Sequence, residues 1–239
     1  MKGFLRFAIL LLVTAIALEV FFLARIALAA TVDPQSTTFE RSEAFRIVSQ
    51  KGRLPWDEQW VPYDRISDHL KRAVIASEDD GFTAHDGVDW EALEKAWQRN
   101  AQAEERAARA RASTRPPKII GGSTITQQLA KNLLLSGERI LLRKGQELVL
   151  TFALEKMLSK RRILEIYLNN VEWGEGVFGA EAAARHYFRK SALQLSAYEA
   201  ARLAVMLPRP KYFEKVPNSG YLANRAATIA ARMHSAETP

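Results

Sequence analysis

The chain has no cysteine among its 239 residues. That excludes a disulfide framework and any thiolate-bound metal or thiol redox pair. No run of alternating β-branched and aromatic residues stands out as a strand, so a sheet-built domain is not expected. No solenoid-type period recurs. Acidic residues are in deficit, 27 Asp and Glu against 34 Lys and Arg, which leaves a net charge of +7. That excess favours a polyanion or a membrane surface as partner without choosing between them. Hydrophobic content of 48% is ordinary for a domain with a real core.

What is present begins with a long apolar run, Phe7 to Ala30, preceded by Lys2 and Arg6. It is long enough to cross a bilayer as a helix. The positive flank places the N-terminus in the cytoplasm and the remainder across the membrane. Glu19 and Arg25 interrupt the run. A mid-membrane acid costs about 2.5–3.5 kcal/mol on insertion scales. Arg25 can snorkel toward the far interface, whereas Glu19 needs a partner or a tilted position. A cleaved signal peptide is the alternative, because Ala27-Leu28-Ala29 resembles a cleavage site. The run exceeds a usual signal core, which favours an uncleaved anchor. The chain thus divides into an anchor at 1–30, a linker at 31–44 and one domain at 45–239.

Within the domain, residues 39–50 fit a helix or a strand. Pro55, Trp56, Trp60 and Pro62 mark an irregular stretch whose large rings suit a core or a membrane interface equally. Residues 66–79 read as a helix with Ile66, Leu70, Ala73 and Val74 as its apolar stripe and Ser67 or Asp64 as its cap. It ends in a dense acidic turn running from Ser77 through Glu78, Asp79, His85 and Asp89 to Trp90. A carboxylate at a helix C-terminus meets the negative end of the dipole, which disfavours ionisation and makes a general-base candidate. Two other readings stay open. One is a solvated turn braced by His85. The other is a divalent cation held by Glu78, Asp79, His85 and Asp89, although that spacing fits no standard metal pattern. Residues 90–112 read as an exposed helix charged on nearly all faces, and 100–118 as a basic segment with a Pro-Pro hinge.

The stretch from Gly121 to Asn132 carries the densest signal. Thr124 and Gln127 form a Thr-x-x-Gln capping box, and Gly137 is placed to end the helix that follows. A helix start suits an anion, and Lys131 adds a full charge on the face of Gln127. An ordinary capped helix explains the same residues. Arg139 comes next, then Arg143-Lys144 with Glu147, where the spacing also fits a simple helical ion pair. Helices are expected over 148–158, 161–169, 180–188, 197–206 and 221–234. A glycine-containing loop is expected over 170–179, and Pro208-Arg209-Pro210 reads as a separator.

Taken in order, five motifs resemble those of the peptidoglycan glycosyltransferases, the lipid II polymerases of bacterial cell walls. They are Glu78-Asp79 with Phe82, His85 and Gly87; Gly121 to Gln128 with Lys131-Asn132; Arg143-Lys144 with Glu147; Ile163 to Asn169; and Arg225, Ile229 and Met233. The resemblance covers roughly residues 45–235, and the second motif within the ordered set is its most specific part. It implies a mainly α, lysozyme-like helical domain with a small membrane-facing lobe behind an N-terminal transmembrane helix. It implies an inverting transfer that makes β-1,4 links and releases a lipid pyrophosphate. Glu78 is then the base and Glu147 the second carboxylate. Ser123, Thr124, Gln127, Gln128, Lys131, Arg139, Arg143 and Lys144 would bind substrate. No cofactor is required, and a divalent cation stays open. The partners implied are lipid II, the lipid-linked glycan and the membrane, with other cell-wall synthesis proteins as candidates and no nucleic acid. The location implied is the bacterial inner membrane, crossed once, with the catalytic domain periplasmic. No Ser-x-x-Lys acylation motif accompanies these motifs. Arg189, standing where glycine is more usual, Ala230 and the long 100–118 segment depart from the pattern. A peptidoglycan hydrolase, disfavoured by the cation cluster, and a non-catalytic wall binder are the alternatives.

Overall fold

The computed structural model describes residues 2–109, 122–135 and 141–239. Helix α1 (Lys2–Ala29) is long and apolar enough to cross a membrane. Most of it stands clear of the rest of the chain, but Phe22, Ile26 and Ala29 in its last turns are buried against the domain. Helix α2 (Thr38–Lys51) begins inside the stretch read as linker. The reason is local. Thr37 and Glu40 close a reciprocal capping box, and Gly52 ends the helix in the left-handed conformation at φ 66°. The choice between helix and strand at 39–50 therefore falls to helix.

Helix α3 (Asp68–Glu78) starts at Ser67, whose hydroxyl accepts from the amide of His69. Its expected stripe of Ile66, Leu70, Ala73 and Val74 is buried. Helix α4 (Trp90–Arg109) differs from expectation. Its charges do not cover every face, because Trp90, Leu93 and Trp97 form an exposed apolar stripe at helical spacing. Helices α5 (Ile125–Leu134), α6 (Leu141–Met157) and α7 (Lys160–Asn170) pack on one another. The segments 110–121 and 136–140 lie outside the described residues, so Gly121, Gly137 and Arg139 do as well.

The loop expected at 170–179 holds a small hairpin, β2 (Glu172–Gly174) and β3 (Val177–Phe178). A third strand, β1 (Asp57–Glu58), adds to β3 in parallel, giving the order β1-β3-β2. Gly176 is required there: its φ is 78°, and a Cβ would sit 2.1 Å from the Pro55 carbonyl oxygen. Trp56 stacks on Phe178 with ring centroids 4.5 Å apart, so this ring packs onto the sheet and not onto lipid.

The remaining helices are α8 (Ala180–Phe188), α9 (Ala197–Met206), α10 (Pro210–Lys215) and α11 (Gly220–Arg232). Helix α10 takes up part of the proline separator, with Pro210 at its first position, where a missing amide hydrogen costs nothing. Helices α3, α9 and α11 form one packed group. Trp173, fully buried, donates its indole N–H to the Leu203 carbonyl at 3.0 Å and ties the hairpin to α9. The chain is mainly α-helical, as expected.

Helix α1 is fastened to the domain at Glu19. The Gln146 side-chain amide on α6 donates to its carboxylate at 2.6 Å. This is the partner that an acid inside an apolar helix requires.

Candidate active site

Glu78 is the last residue of α3, and its side chain opens into a cleft of about 450 Å³. Ser77, Asp79, Asp80 and Asp89 share that cleft with Gly122, Ser123 and Thr124, while Lys95, Arg99 and Arg232 supply its cations. Burial pushes the Glu78 carboxyl above the ordinary glutamate value, and the charge of Asp79 adds to the rise. Hydrogen bonds from Gln128 and Ser77 and the charge of Arg225 pull the other way without cancelling it.

One of these bonds has its own support. The Gln128 amide nitrogen donates to Glu78 Oε2 at 3.0 Å, and the Tyr167 hydroxyl donates to the Gln128 amide oxygen at 2.9 Å. Tyr167 is 1% exposed, and desolvation keeps its phenol protonated. A protonated phenol can donate to the amide oxygen, which leaves the N–H end of Gln128 for the acceptor carboxylate of Glu78. The periodicity of 161–169 marks Tyr167 only as core, so this relay was not legible in the pattern.

Asp79 does different work. Its Oδ1 is 2.8 Å from His85 Nε2, and its Oδ2 accepts from the Ile125 amide at 2.9 Å. The Gly87 amide donates to His85 Nδ1 at 3.1 Å, so in the neutral ring Nε2 carries the proton toward Asp79. Asp79 thus joins the end of α3, the acidic turn and the start of α5. The turn is braced from below: Lys160 donates to the His85 carbonyl at 2.6 Å and to Glu155 at 2.8 Å, and Thr126 donates to Glu155 at 2.6 Å. Gly87 has φ 89°, and a Cβ there would strike Thr151 at 2.7 Å.

Two expectations are corrected by this geometry. The start of α5 is not an open anion site, because the Asp79 carboxylate already occupies its first amide. The Thr124 hydroxyl is committed too, accepting from the Gln127 amide and donating to the Gly87 carbonyl at 2.6 Å. The Gln127 side-chain oxygen closes the capping box on the Thr124 amide. Thr124 and Gln127 therefore hold the helix start; of the expected binding residues, Ser123 and Thr124 line the Glu78 cleft and Gln128 bonds Glu78 itself. The carboxylates of the divalent-cation reading, left open by the sequence, are in part already engaged. Asp79 is spent on His85 and Ile125, Asp89 Oδ1 accepts from the Ala92 amide, and no three acid or histidine groups gather as a metal site among the described residues.

The second carboxylate, Glu147, lies on α6 and is 3% exposed. Arg143 reaches it at 3.0 Å and Lys144 bonds its other oxygen, both from the same helix. Lys131 stands three residues past Gln128 on α5 and is exposed. None of Lys131, Arg143, Lys144 and Glu147 lines the Glu78 cleft itself; they continue along α5 and α6, which pack together. The cleft-lining Lys95 and Arg99 were missed, although Ala92, Lys95, Ala96 and Arg99 repeat at helical spacing, the signal of one face.

The chain was compared with known proteins. The sequence model of the family described as transglycosylase matches residues 47–234. A protein of Bordetella pertussis called biosynthetic peptidoglycan transglycosylase is 55% identical over 207 residues, 87% of this chain and 82% of the relative. Proteins with the same name in Burkholderia thailandensis and Paraburkholderia xenovorans are 51% and 50% identical, each over 94% of this chain and 83% and 88% of their own lengths. The match contains the Glu78 cleft, the Gln128 relay and the cations of α5 and α6, and on it this chain belongs to the transglycosylase family.

Proposed function

We propose that the chain is a peptidoglycan glycosyltransferase that polymerises lipid II into β-1,4 glycan at the surface of the bacterial inner membrane. The observation that carries the reading is the state of Glu78. It is a carboxylate raised by burial, hydrogen-bonded by Gln128 and Ser77, with no cation in an ion pair with it among the described residues, and open to a cleft. Such a group can take the proton of a sugar 4-hydroxyl as that oxygen attacks the anomeric carbon of the growing strand. The bond from that carbon to the lipid diphosphate breaks in the same displacement. Base and leaving group must lie on opposite faces of the ring, which inverts the centre.

The departing diphosphate needs charge stabilisation. Lys131, Arg143 and Lys144 are the candidates, with Arg139 outside the described residues. Glu147 holds Arg143 and Lys144 in place. Ser123 and Gln128 are candidates for contact with the acceptor sugar. The exposed Trp90, Leu93 and Trp97 stripe suits a lobe that faces lipid, where the substrate's chain lies. The positive flank of α1 favours a cytoplasmic N-terminus and a periplasmic domain, and other cell-wall synthesis proteins are candidate partners.

The test is polymerisation of purified lipid II by the full chain and by Glu78→Gln. Loss of glycan product with unchanged folding is expected. Full polymerisation by the variant would overturn the assignment, and cleavage of preformed glycan by the wild type would favour a hydrolase.

A further inference from the structure

Where α1 leaves its apolar run, a pocket of about 320 Å³ opens between its last turns and residues 32–36. Its walls include Arg25, Leu28, Val32, Pro34, Ser36 and Leu133. Arg25 Nη2 donates to the Ser36 carbonyl at 3.4 Å, and Arg41 Nη1 reaches the same oxygen at 3.2 Å from outside the pocket. Arg41 also donates to the hydroxyls of Ser36 at 2.7 Å and Thr38 at 3.1 Å. Every one of these acceptors is neutral. Among the described residues no carboxylate forms an ion pair with either guanidinium. The one acid in the pocket wall, Asp33, is held by Arg162 at 2.8 Å.

The pocket is built and not left loose. Arg162 also donates to the Ala29 carbonyl at 2.8 Å, which fixes the end of α1 against α7. The Thr38 hydroxyl donates to the Leu133 carbonyl at 3.3 Å, which fixes α2 against the end of α5. Two like charges thus converge on one carbonyl in a fixed frame, and their repulsion calls for an anion. Leu28 and Val32 beside them are exposed and apolar. The place combines two cations with an apolar flank, at the level where a membrane-spanning helix meets the head groups. Guanidinium forks match phosphate oxygens better than any other common anion at that level.

We propose that this junction binds the phosphate of an anionic membrane lipid, with Arg25 and Arg41 on the phosphate oxygens and Leu28 and Val32 along the first carbons of the chain. The bound lipid would close the seam between anchor and domain. The site shares no residue with the Glu78 cleft and does not depend on the catalytic reading.

The test is lipid retention by the full chain, read by native mass spectrometry after exchange into phosphatidylglycerol, phosphatidic acid or phosphatidylcholine. The wild type should keep either anionic phospholipid over phosphatidylcholine by roughly tenfold, as expected for two basic groups at an anionic surface. Arg25→Gln with Arg41→Gln should abolish the preference, Arg25→Lys should weaken it, and Arg65→Gln, an exposed arginine elsewhere, should leave it intact. Equal retention of all three lipids by the wild type, or an undiminished preference in the double variant with unchanged thermal unfolding, would overturn the proposal.

Discussion

Glu78 and Glu147 are both withdrawn from water, and they are answered differently. Glu147 receives Arg143 and Lys144 from its own helix. Glu78 receives one amide N–H from Gln128 and lies beside a second acid, Asp79. A cation neutralises the first, whereas the second keeps the cost of its charge. Burial with a cation yields a fixed electrostatic strut; burial without one yields a group that gains by taking a proton. The pair shows how one fold can hold two buried carboxylates in unlike electrostatic states.

The most severe way to break the contrast is Glu78→Gln. Polymerisation of lipid II should fall by about 10²–10⁴-fold. Thermal unfolding at neutral pH should not fall, because a buried charge has been removed. A large loss of stability would mean that Glu78 is a strut as well.

Glu40 extends the contrast to a third acid. It is 2% exposed and bonded to the Thr37 amide, no cation forms an ion pair with it among the described residues, and burial pushes it up to about 7 against the weaker pull of Arg41. Its folded value lies above its unfolded value, so the stabilising proton is fully bound below about pH 4.5 and lost as pH rises through 7. The stability of Glu40→Gln relative to wild type should therefore improve by about 3 kcal/mol between pH 4 and pH 8 in denaturant titrations. A gap that does not change with pH would refute the role of burial there.

Glu147→Gln should act with the opposite sign to Glu78→Gln on stability. Removing the charge that Arg143 and Lys144 share should cost about 1–3 kcal/mol, measured by the same titration. A neutral result would make the pair a surface-like contact.

The smallest effect sharpens the Glu78 side. Tyr167→Phe removes the bond that orients Gln128, so the amide donates less well to Glu78. The acid limb of the rate profile should move to higher pH by up to about one unit, with folding retained. An unmoved limb would show that Gln128 needs no support.

Much of this was legible in the residues because it rests on short-range rules. The Ser67 cap, the Thr124–Gln127 box and the i, i+4 pair of Arg143 and Glu147 are each set within one helical turn. The Thr37–Glu40 box was equally readable, but it lay inside a stretch whose polarity suggested a linker. What escaped depends on distant chain segments. Gln146 meets Glu19, Tyr167 meets Gln128, and Ile125 meets Asp79 across 127, 39 and 46 residues. No local pattern encodes such meetings. The strands escaped for another reason: two or three residues are too few to show a period of two. Arg189, singled out for standing where glycine is usual, adopts φ 57° at the end of α8, a left-handed position that a side chain disfavours.

The bond between Glu19 and Gln146 has a further result for kinetics. A tether that only limits distance lets its cargo tumble; a side-chain hydrogen bond between the helix and the domain restrains it. The catalytic body would then ride on its helix like a keel, at one height and one tilt. Gln146 directly precedes Glu147, so the same bond holds the Arg143–Lys144 pair at a fixed place along α1. Turnover would follow the number of carrier lipids per unit area of membrane, not their concentration in the surrounding volume.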